Sequence, residues 1–250
     1  MERFVSDGIE IAFRDEGEGE PVFLVHGFAS NSYINWVYTG WMKTLVDAGY
    51  RVIAHDNRGH GESEKLYSSG LYESPMLAED VRRLMDHLDI EKARVMGYSM
   101  GTRISAFLCL NHPERVQSAV FAGLGMGLVN GVPGSPQIAE ALLADDPKTI
   151  TNIQGQAFRK FAEQTKSDRK ALAACIKESR SKIAPDDIQT IDKPVLVAVG
   201  TKDDVAGDLY GLVELLPQGE ALPIPDRNHM VAVGDKVYKA GVLDFWGRGI

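Results

Sequence analysis

The 250-residue sequence predicts an α/β fold in which helices flank a mostly parallel central sheet and a helical segment is inserted. Continuous apolar runs such as Pro21–Val25 are typical of strands buried on both faces of a parallel sheet. These runs alternate with patterns of helical period, as in doubly wound sheets. The alternation stops in residues 125–184, which contain helical patterns only. We therefore expect residues 1–124 and 185–250 to form a core and residues 125–184 to form a helical cap.

The bulk properties exclude several classes of function. A net charge of −8 argues against a nucleic-acid surface. Cys109 and Cys175 have neither a metal-ligand spacing nor the pattern of a disulfide framework, so we expect no metal site and a reducing, cytoplasmic location. No apolar run reaches the roughly 18 residues that span a membrane, and no apolar secretion signal is visible. The oligomeric state is left open.

The first half of the chain is expected to begin with a hairpin and to continue as alternating strands and helices. Asp7 and Gly8 form a turn signal between two alternating stretches within residues 3–15. Ser74 and Pro75 are typical of an N-cap and of the first helical position. The other elements predicted here are a strand at 21–25, a helix at 36–48 followed by Gly49, a strand at 51–54, a strand at Ala93–Tyr98 and a helix at Met100–Leu110.

The second half contains the strandless segment and then returns to the alternating pattern. Three helices are expected in the segment, at about 136–144, 152–165 and 168–182. The remaining predicted elements are strands at Val116–Ala122, Lys193–Val199 and Ala221–Ile224 and helices at 206–216 and 231–246. Ligands of a doubly wound sheet bind at the carboxyl ends of its strands. The loops that follow the predicted strands are therefore where functional residues are expected.

One strand end carries the pattern Gly97-Tyr98-Ser99-Met100-Gly101, which is G-x-S-x-G. This is the pattern of a nucleophile elbow, where a strand meets a helix with almost no loop and the serine hydroxyl projects alone. Side chains at the two glycine positions would clash in so tight a turn. The helix N-terminus below the serine offers free N–H groups and a partial positive charge. We therefore predict that Ser99 is a nucleophile.

A serine nucleophile needs a histidine base and a carboxylate that orients it. In the order Ser, acid, His, only His112 and His229 follow Ser99. His112 lies at the far end of the elbow helix, so His229, after the last strand, is the predicted base. Asp203 follows the strand before it and is the predicted acid. The adjacent Asp204 is expected to be a solvated neighbour.

The oxyanion of the transition state needs two backbone N–H donors. Met100, directly after the nucleophile, is expected to supply one of them. Phe28, after the strand at 21–25, is the candidate for the other, since this loop supplies the second donor in such sites. His26 in the same loop is either a second base or, as we expect, a structural residue that holds the loop.

The sequence indicates the substrate pocket only weakly. The candidate pocket residues are His26, Tyr98, Phe158 and Phe161. A cluster of aromatic residues after the Phe28 loop could line an entrance or pack the first helix on the sheet; its members are Tyr33, Trp36, Tyr38 and Trp41. Residues 125–184 carry more basic than acidic side chains, which would suit a carboxylate-bearing substrate, although a solvated helix face is the commoner explanation.

These motifs together resemble those of the α/β-hydrolase family. The resemblance extends from about residue 4 to 246 and rests on His26-Gly27-Phe28, Asp56-x-Arg58-Gly59-x-Gly61-x-Ser63, Gly97-x-Ser99-x-Gly101, Gly200-x-x-Asp203 and the late His229. It implies an α/β-hydrolase fold, no cofactor, and a structural turn at residues 56–63 in which Asp56 and Arg58 brace the loops.

The resemblance also narrows the chemistry. Epoxide hydrolases and haloalkane dehalogenases use an aspartate at the elbow, so Ser99 separates this sequence from them. We expect hydrolysis of a small-molecule carboxylic ester, lactone or thioester through an acyl-enzyme. Carbon–carbon bond hydrolysis and cofactor-free perhydrolysis use the same triad and remain alternatives. A small-ligand receptor or binding module on this scaffold is an alternative of another class.

Overall fold

The computed structural model describes residues 1–249 and contains one eight-stranded sheet with the strand order β1-β2-β4-β3-β5-β6-β7-β8. The strands are β1 (Glu2–Ser6), β2 (Ile9–Glu16), β3 (Glu20–Val25), β4 (Tyr50–His55), β5 (Ala93–Tyr98), β6 (Val116–Ala122), β7 (Val195–Gly200) and β8 (Gly219–Ile224). Strands β3 to β8 are parallel, while β1 and β2 form an antiparallel hairpin that joins the sheet at β4. The mostly parallel sheet and the hairpin predicted from the sequence are confirmed.

Helices cover both faces of the sheet. They are α1 (Trp41–Asp47), α2 (Ser74–His87), α3 (Met100–Asn111), α4 (Gly127–Asn130), α5 (Ser135–Leu143), α6 (Ile153–Gln164), α7 (Arg169–Glu178), α8 (Pro185–Ile188), α9 (Leu209–Leu215) and α10 (Lys236–Gly247). Helices α1 and α10 contribute to the hydrophobic core on one face. Helices α2, α3 and α9 contribute to the core on the other face. None of the helices in residues 1–249 is long and apolar enough to cross a membrane.

The apolar runs form strands because both of their faces are buried. In β3, Val22 and Leu24 belong to the core under α1 and α10, while Phe23 and Val25 belong to the opposite core. Successive side chains of a strand point to opposite faces, so a strand covered on both sides is apolar throughout. This burial places the polar residues that follow each strand at the carboxyl edge of the sheet.

The helix expected at 36–48 is interrupted. A π-helical segment covers Tyr33–Val37, and α1 begins at Trp41 after Gly40, whose φ is +80°. Glycine adopts this left-handed conformation without steric penalty, and the change of direction lets both Trp36 and Trp41 pack in the core. Helical periodicity in the sequence does not reveal such a break.

Several other helices have limits that differ from those expected. The cap of α2 is Glu73, and Ser74 is its first helical residue. Asp208 accepts hydrogen bonds from the first N–H groups of α9, and Asp235 does the same for α10. Helices α9 and α10 therefore begin later than the periodicity suggested, whereas α2 begins one residue earlier than expected. Helix α7 ends at Glu178, earlier than the predicted residue 182.

The segment between β6 and β7 is helical, with no strand among its described residues. Helix α5 packs against both α6 and α7. The segment touches the loop after β3: the rings of Phe158 and Phe28 are 5.4 Å apart, and the Thr165 hydroxyl donates to Ala29 O at 3.4 Å. The division of the chain into a core and a cap stays a prediction.

Candidate active site

Ser99 lies between β5 and α3 in a strained conformation, with φ +54° and ψ −111°. A left-handed φ is uncommon for a residue with a side chain and costs about 1–3 kcal/mol. The surrounding hydrogen bonds hold it in place. The Ser99 N–H donates to Ala122 O at 2.7 Å, and the Thr102 hydroxyl donates to Gly97 O and Ala122 O at 2.9 and 2.6 Å. Neighbouring strand β6 therefore fixes the turn.

The two glycines of the turn are required by close backbone contacts. A Cβ on Gly97 would lie 2.3 Å from the carbonyl carbon of Gly101. A Cβ on Gly101 would lie 1.9 Å from Val25 O, which is in the neighbouring strand β3. A side chain at either position would therefore clash with the backbone, as expected, and at Gly101 it would clash with strand β3 of the sheet.

Ser99, His229 and Asp203 form one hydrogen-bonded chain. His229 Nε2 lies 3.0 Å from Ser99 Oγ, and His229 Nδ1 lies 2.8 Å from Asp203 Oδ2. The Asp203 side chain is fully buried and that of His229 is 11% exposed. In this geometry Nδ1–H donates to the carboxylate, which leaves Nε2 free to accept the serine proton.

The Asp203 carboxylate is held from its other side as well. Asp203 Oδ1 accepts hydrogen bonds from the backbone N–H groups of Val205 and Ala206, each at 2.9 Å. Asp204, its neighbour, is exposed. The short turn after β7 therefore turns one carboxylate toward His229 and the other toward solvent.

The loop that carries His229 is tied to the elbow strand. The Tyr98 hydroxyl donates to the backbone carbonyl of His229 at 2.6 Å. Burial raises the pKa of the Tyr98 phenol, so it stays protonated as a donor. Tyr98 thus joins the residue before the serine to the loop of the histidine. The remaining late histidine, His112, lies beside Glu79 on α2, away from this site.

The loop after β3 presents the second candidate oxyanion donor. The Ser30 N–H donates to Gly27 O at 3.2 Å, and Ala29 between them has φ +59°. The Gly27 N–H is taken by Asn35 Oδ1 at 2.8 Å. In the described chain the Phe28 N–H has no such acceptor, and neither has that of Met100 at the start of α3. The sequence did not indicate the role of Asn35, which lies in the irregular helix before α1.

His26 does not line the cavity beside Ser99, which corrects its place among the candidate pocket residues. The ring is completely buried. His26 Nδ1 lies 2.8 Å from Gly27 O, and Nε2 accepts from the Asn57 N–H at 2.9 Å. Burial lowers the pKa of His26, and the nearby His60 lowers it further, so the ring is neutral. It joins the loops after β3 and β4.

The turn at residues 56–63 is braced as the family resemblance implied. Asp56 accepts hydrogen bonds from the backbone N–H groups of Ser32 and Glu62, at 2.7 and 2.8 Å. Arg58 forms a buried ion pair with Asp80 on α2, with Nη2 2.6 Å from Oδ1. Neither residue lines the cavity.

A cavity of about 260 Å³ opens beside Ser99 and His229. The other candidate pocket residues, Tyr98, Phe158 and Phe161, line it. Of the aromatic cluster, Trp36 is buried in the core, whereas Tyr38 lines the cavity and is largely exposed. Residues 1–249 contain no group of three or more His, Cys, Asp or Glu side chains arranged to hold a metal ion.

Two arginines in the cavity wall, Arg103 and Arg180, were not among the sequence candidates. For Arg103 a signal exists in the sequence: it follows Ser99 by four residues, which puts both residues on the same face at the start of α3. Arg180 lies just beyond α7, and its position relative to Ser99 depends on how the helical segment folds over the sheet. No local pattern indicates it.

Comparisons with known proteins agree with one another on the fold family that this chain matches. Residues 20–173 match the α/β hydrolase fold family. A non-heme chloroperoxidase of Kitasatospora aureofaciens is 36% identical over 115 residues, covering 46% of this chain and 40% of the relative. A 2-hydroxy-6-oxononadienedioate/2-hydroxy-6-oxononatrienedioate hydrolase of Escherichia coli is 39% identical over 126 residues, covering 48% and 41%. The chain thus spans about two fifths of the length of these relatives.

Solved structures match over the full chain. The esterase RhEst1 of Rhodococcus sp. ECU1013 superposes with a TM-score of 0.79 at 26% identity, covering 99% of this chain and 98% of the esterase. A thermophilic esterase of Thermogutta terrifontis superposes with a TM-score of 0.81 at 23% identity, covering 100% and 99%. These similarities extend the shared fold beyond residues 20–173.

Proposed function

We propose that this chain, which belongs to the α/β hydrolase fold family, is a serine hydrolase that cleaves small-molecule carboxylic esters or related lactones and thioesters. The observation that carries the proposal is the hydrogen-bonded chain from Ser99 Oγ through His229 to Asp203 at the edge of a cavity. The similarity to esterases of the same fold agrees with it.

In the proposed reaction Ser99 is the nucleophile. As Ser99 Oγ attacks the carbonyl carbon of the ester, His229 Nε2 takes the hydroxyl proton. The Asp203 carboxylate stabilises the resulting imidazolium through Nδ1. The C–O bond of the ester then breaks, and His229 returns the proton to the leaving alcohol, which gives an acyl-enzyme.

The negative charge of the tetrahedral intermediate falls on the former carbonyl oxygen. We assign its stabilisation to the backbone N–H groups of Phe28 and Met100, with the positive end of α3 below. Water then attacks the acyl-enzyme, again with His229 as base, and releases the carboxylic acid. No cofactor is needed for either half of this cycle.

The helical segment has a part in the proposal as well. Phe158, Phe161 and Ile176 from this segment line the cavity above Ser99. We assign residues 125–184 the role of a cap that shapes the pocket and limits the access of water. Residues 1–124 and 185–250 would then form the catalytic core. The substrate would be a small molecule held between the two.

A second candidate is carbon–carbon bond hydrolysis by the same residues. It is favoured by the 39% identity over 126 residues to the Escherichia coli hydrolase named for a nonadienedioate. Because one relative is a chloroperoxidase, perhydrolysis should also be assayed as a side reaction. Parallel assays with a nitrophenyl ester and a vinylogous diketone acid would rank the two hydrolytic activities by kcat/KM.

The experiment that tests the proposal combines ester hydrolysis with active-site labelling. We expect 4-nitrophenyl butyrate to be hydrolysed by the wild type and a fluorophosphonate to label it once. Ser99→Ala should abolish both, while Ser68→Ala, which alters an exposed serine, should change neither. Hydrolysis by Ser99→Ala at close to the wild-type rate would refute the mechanism. A wild type that is neither labelled nor active would favour a binding protein.

A further inference from the structure

The charges in the cavity wall are all of one sign. Arg103 and Arg180 are the permanently charged side chains among the described residues that line the cavity, and no Asp, Glu or Lys joins them. The other lining residues are apolar or neutral. This is unexpected on composition, because acidic residues outnumber basic ones in the chain by 35 to 27.

Arg103 is almost completely buried, at 2% exposed. Its guanidinium donates to backbone carbonyls: Nη1 to Leu128 O at 3.2 Å and to Ser181 O, and Nη2 to Gly127 O at 3.0 Å. These carbonyls satisfy donors but carry no full negative charge. Burial and, to a smaller extent, the positive charge of Arg180 together lower the pKa of Arg103 to about 10. Both arginines line the same cavity, so their like charges repel each other.

Arg180 has spare hydrogen-bond donors. Its Nη1 donates to Val132 O at 3.0 Å and to Pro133 O at 2.6 Å. Within residues 1–249, its Nε and Nη2 have no acceptor, and neither arginine forms an ion pair with a carboxylate. Burial lowers the pKa of Arg180 to about 10. Both groups stay charged near neutral pH, so the cavity contains two uncompensated positive charges.

An anion bound beside the two guanidinium groups would offset their mutual repulsion. Like charges repel strongly where water is scarce, and buried charges in proteins are normally paired. A guanidinium with free N–H groups matches the geometry of a carboxylate, which accepts two parallel hydrogen bonds. Arg103 is one helical turn from Ser99, so an anion bound here would lie within a few atoms of the attacked carbonyl.

We infer that the Arg103 and Arg180 side of the cavity binds a carboxylate of the substrate, so that the preferred substrates are esters that also carry a free carboxylate. The inference rests on the proposed ester hydrolysis at Ser99. It names the substrate class that the pocket selects. A neutral ester of the same size would leave both guanidinium groups without a partner, and its kcat/KM should be lower.

The test compares two esters that differ in one charge. Mono(4-nitrophenyl) adipate carries a terminal carboxylate, and methyl 4-nitrophenyl adipate is its neutral counterpart. We expect the wild type to prefer the charged ester by about 10- to 100-fold in kcat/KM, the range of one charge-assisted hydrogen bond. Arg180→Gln should bring this ratio close to one, and Arg180→Lys should retain part of it.

A matched control separates the site from the general charge of the helical segment. Lys177→Gln removes a positive charge three residues earlier, on the exposed side of α7, and should leave the ratio at its wild-type value. Equal kcat/KM values for the two esters in the wild type would overturn the inference while leaving Ser99-dependent hydrolysis intact. A ratio lowered equally by Lys177→Gln and Arg180→Gln would also overturn it.

Binding can be measured without turnover. In calorimetry with Ser99→Ala, we expect monomethyl adipate to bind at least tenfold more tightly than dimethyl adipate, with the difference lost in Ser99→Ala/Arg180→Gln. Equal affinities would contradict the carboxylate site. If esters are not hydrolysed but the anion is still preferred, the proposed function fails and the binding site stands.

Discussion

Replacement of Asp203 by asparagine should reverse the hydrogen bond to His229 without unfolding the turn. Asp203 Oδ1 accepts from the N–H groups of Val205 and Ala206, and an asparagine carbonyl can keep both bonds. The amide NH₂ must then face His229 Nδ1, in place of the Oδ2 that lies 2.8 Å away. Because an NH₂ only donates, Nδ1 becomes the acceptor and the proton moves to Nε2. The base can then no longer accept the proton of Ser99.

The expected loss of kcat depends on which hydrogen bonds the asparagine side chain keeps. Turning the amide over would restore the active tautomer, but it would present NH₂ to two backbone N–H groups and lose two buried hydrogen bonds. Leaving each of these buried N–H donors unpaired would cost about 1–3 kcal/mol of stability, so the orientation with the inactive tautomer dominates. An acid-to-amide change with this outcome lowers kcat about 10⁴-fold in serine hydrolases. That corresponds to about 5.4 kcal/mol in the activation barrier.

The assay is steady-state hydrolysis of 4-nitrophenyl butyrate by Asp203→Asn, with Asp204→Asn as the matched control. Asp204 is exposed, so its variant should stay within about twofold of the wild type. Thermal unfolding of Asp203→Asn should remain cooperative, because the turn keeps its bonds. A kcat above a tenth of the wild-type value would refute the tautomer argument. Equal losses in both variants would show that local charge, rather than orientation of His229, matters.

Three further predictions concern the support of the site. Gly101→Ala should prevent folding or lower stability by more than about 3 kcal/mol in urea unfolding, because its Cβ would lie 1.9 Å from Val25 O; a stable variant would show that the elbow can move away from β3. Tyr98→Phe should lower stability by about 1–3 kcal/mol and reduce kcat more than it raises KM, because it leaves the His229 carbonyl without the Tyr98 hydroxyl; unchanged kcat would indicate that the loop is held otherwise. Burial lowers the pKa of His60 to about 4. Between about pH 6.5 and pH 4 the unfolded chain therefore binds a proton at this residue that the folded chain does not bind. As the pH decreases through this range, the free energy of unfolding decreases by about 1.4 kcal/mol per pH unit for this group. His60→Asn should therefore show a shallower decrease in unfolding free energy from pH 7 to 4.5, and an unchanged slope would exclude His60 as the source.

The sheet was predictable because burial on two faces leaves a direct record in the sequence. Strand β3 is apolar at every position from Val22 to Val25, β7 is apolar from Val195 to Val199, and every residue of β5 is buried. The polar residues that follow these strands could then be grouped at one edge of the sheet. The proximity of Ser99, His229 and Asp203 follows from this grouping, although they are far apart in the chain.

What the sequence could not show depends on the backbone or on distant packing. Ala29 has a left-handed φ that nothing in its residue type predicts. The break at Gly40 depends on the packing of both Trp36 and Trp41 in the core, which helical periodicity does not encode. Arg180 reaches the cavity through the fold of the helical segment, which local periodicity does not determine. The prediction of His26 as a pocket residue is wrong, because sequence order does not show which way a buried ring points.

The hydrogen bonds of Arg103 also bear on how a substrate enters. Through its carbonyl partners near α4 and at Ser181, this one side chain joins the elbow helix to the chain before and after the helices above it. Lifting these helices away would break bonds to a buried charge worth about 1.5–3 kcal/mol each. Rotation of the exposed Tyr38 and Met230 at the rim breaks no such bonds. Widening the substrate range by mutagenesis should therefore begin at this rim, since Arg103 ties the helical segment to the helix that follows Ser99.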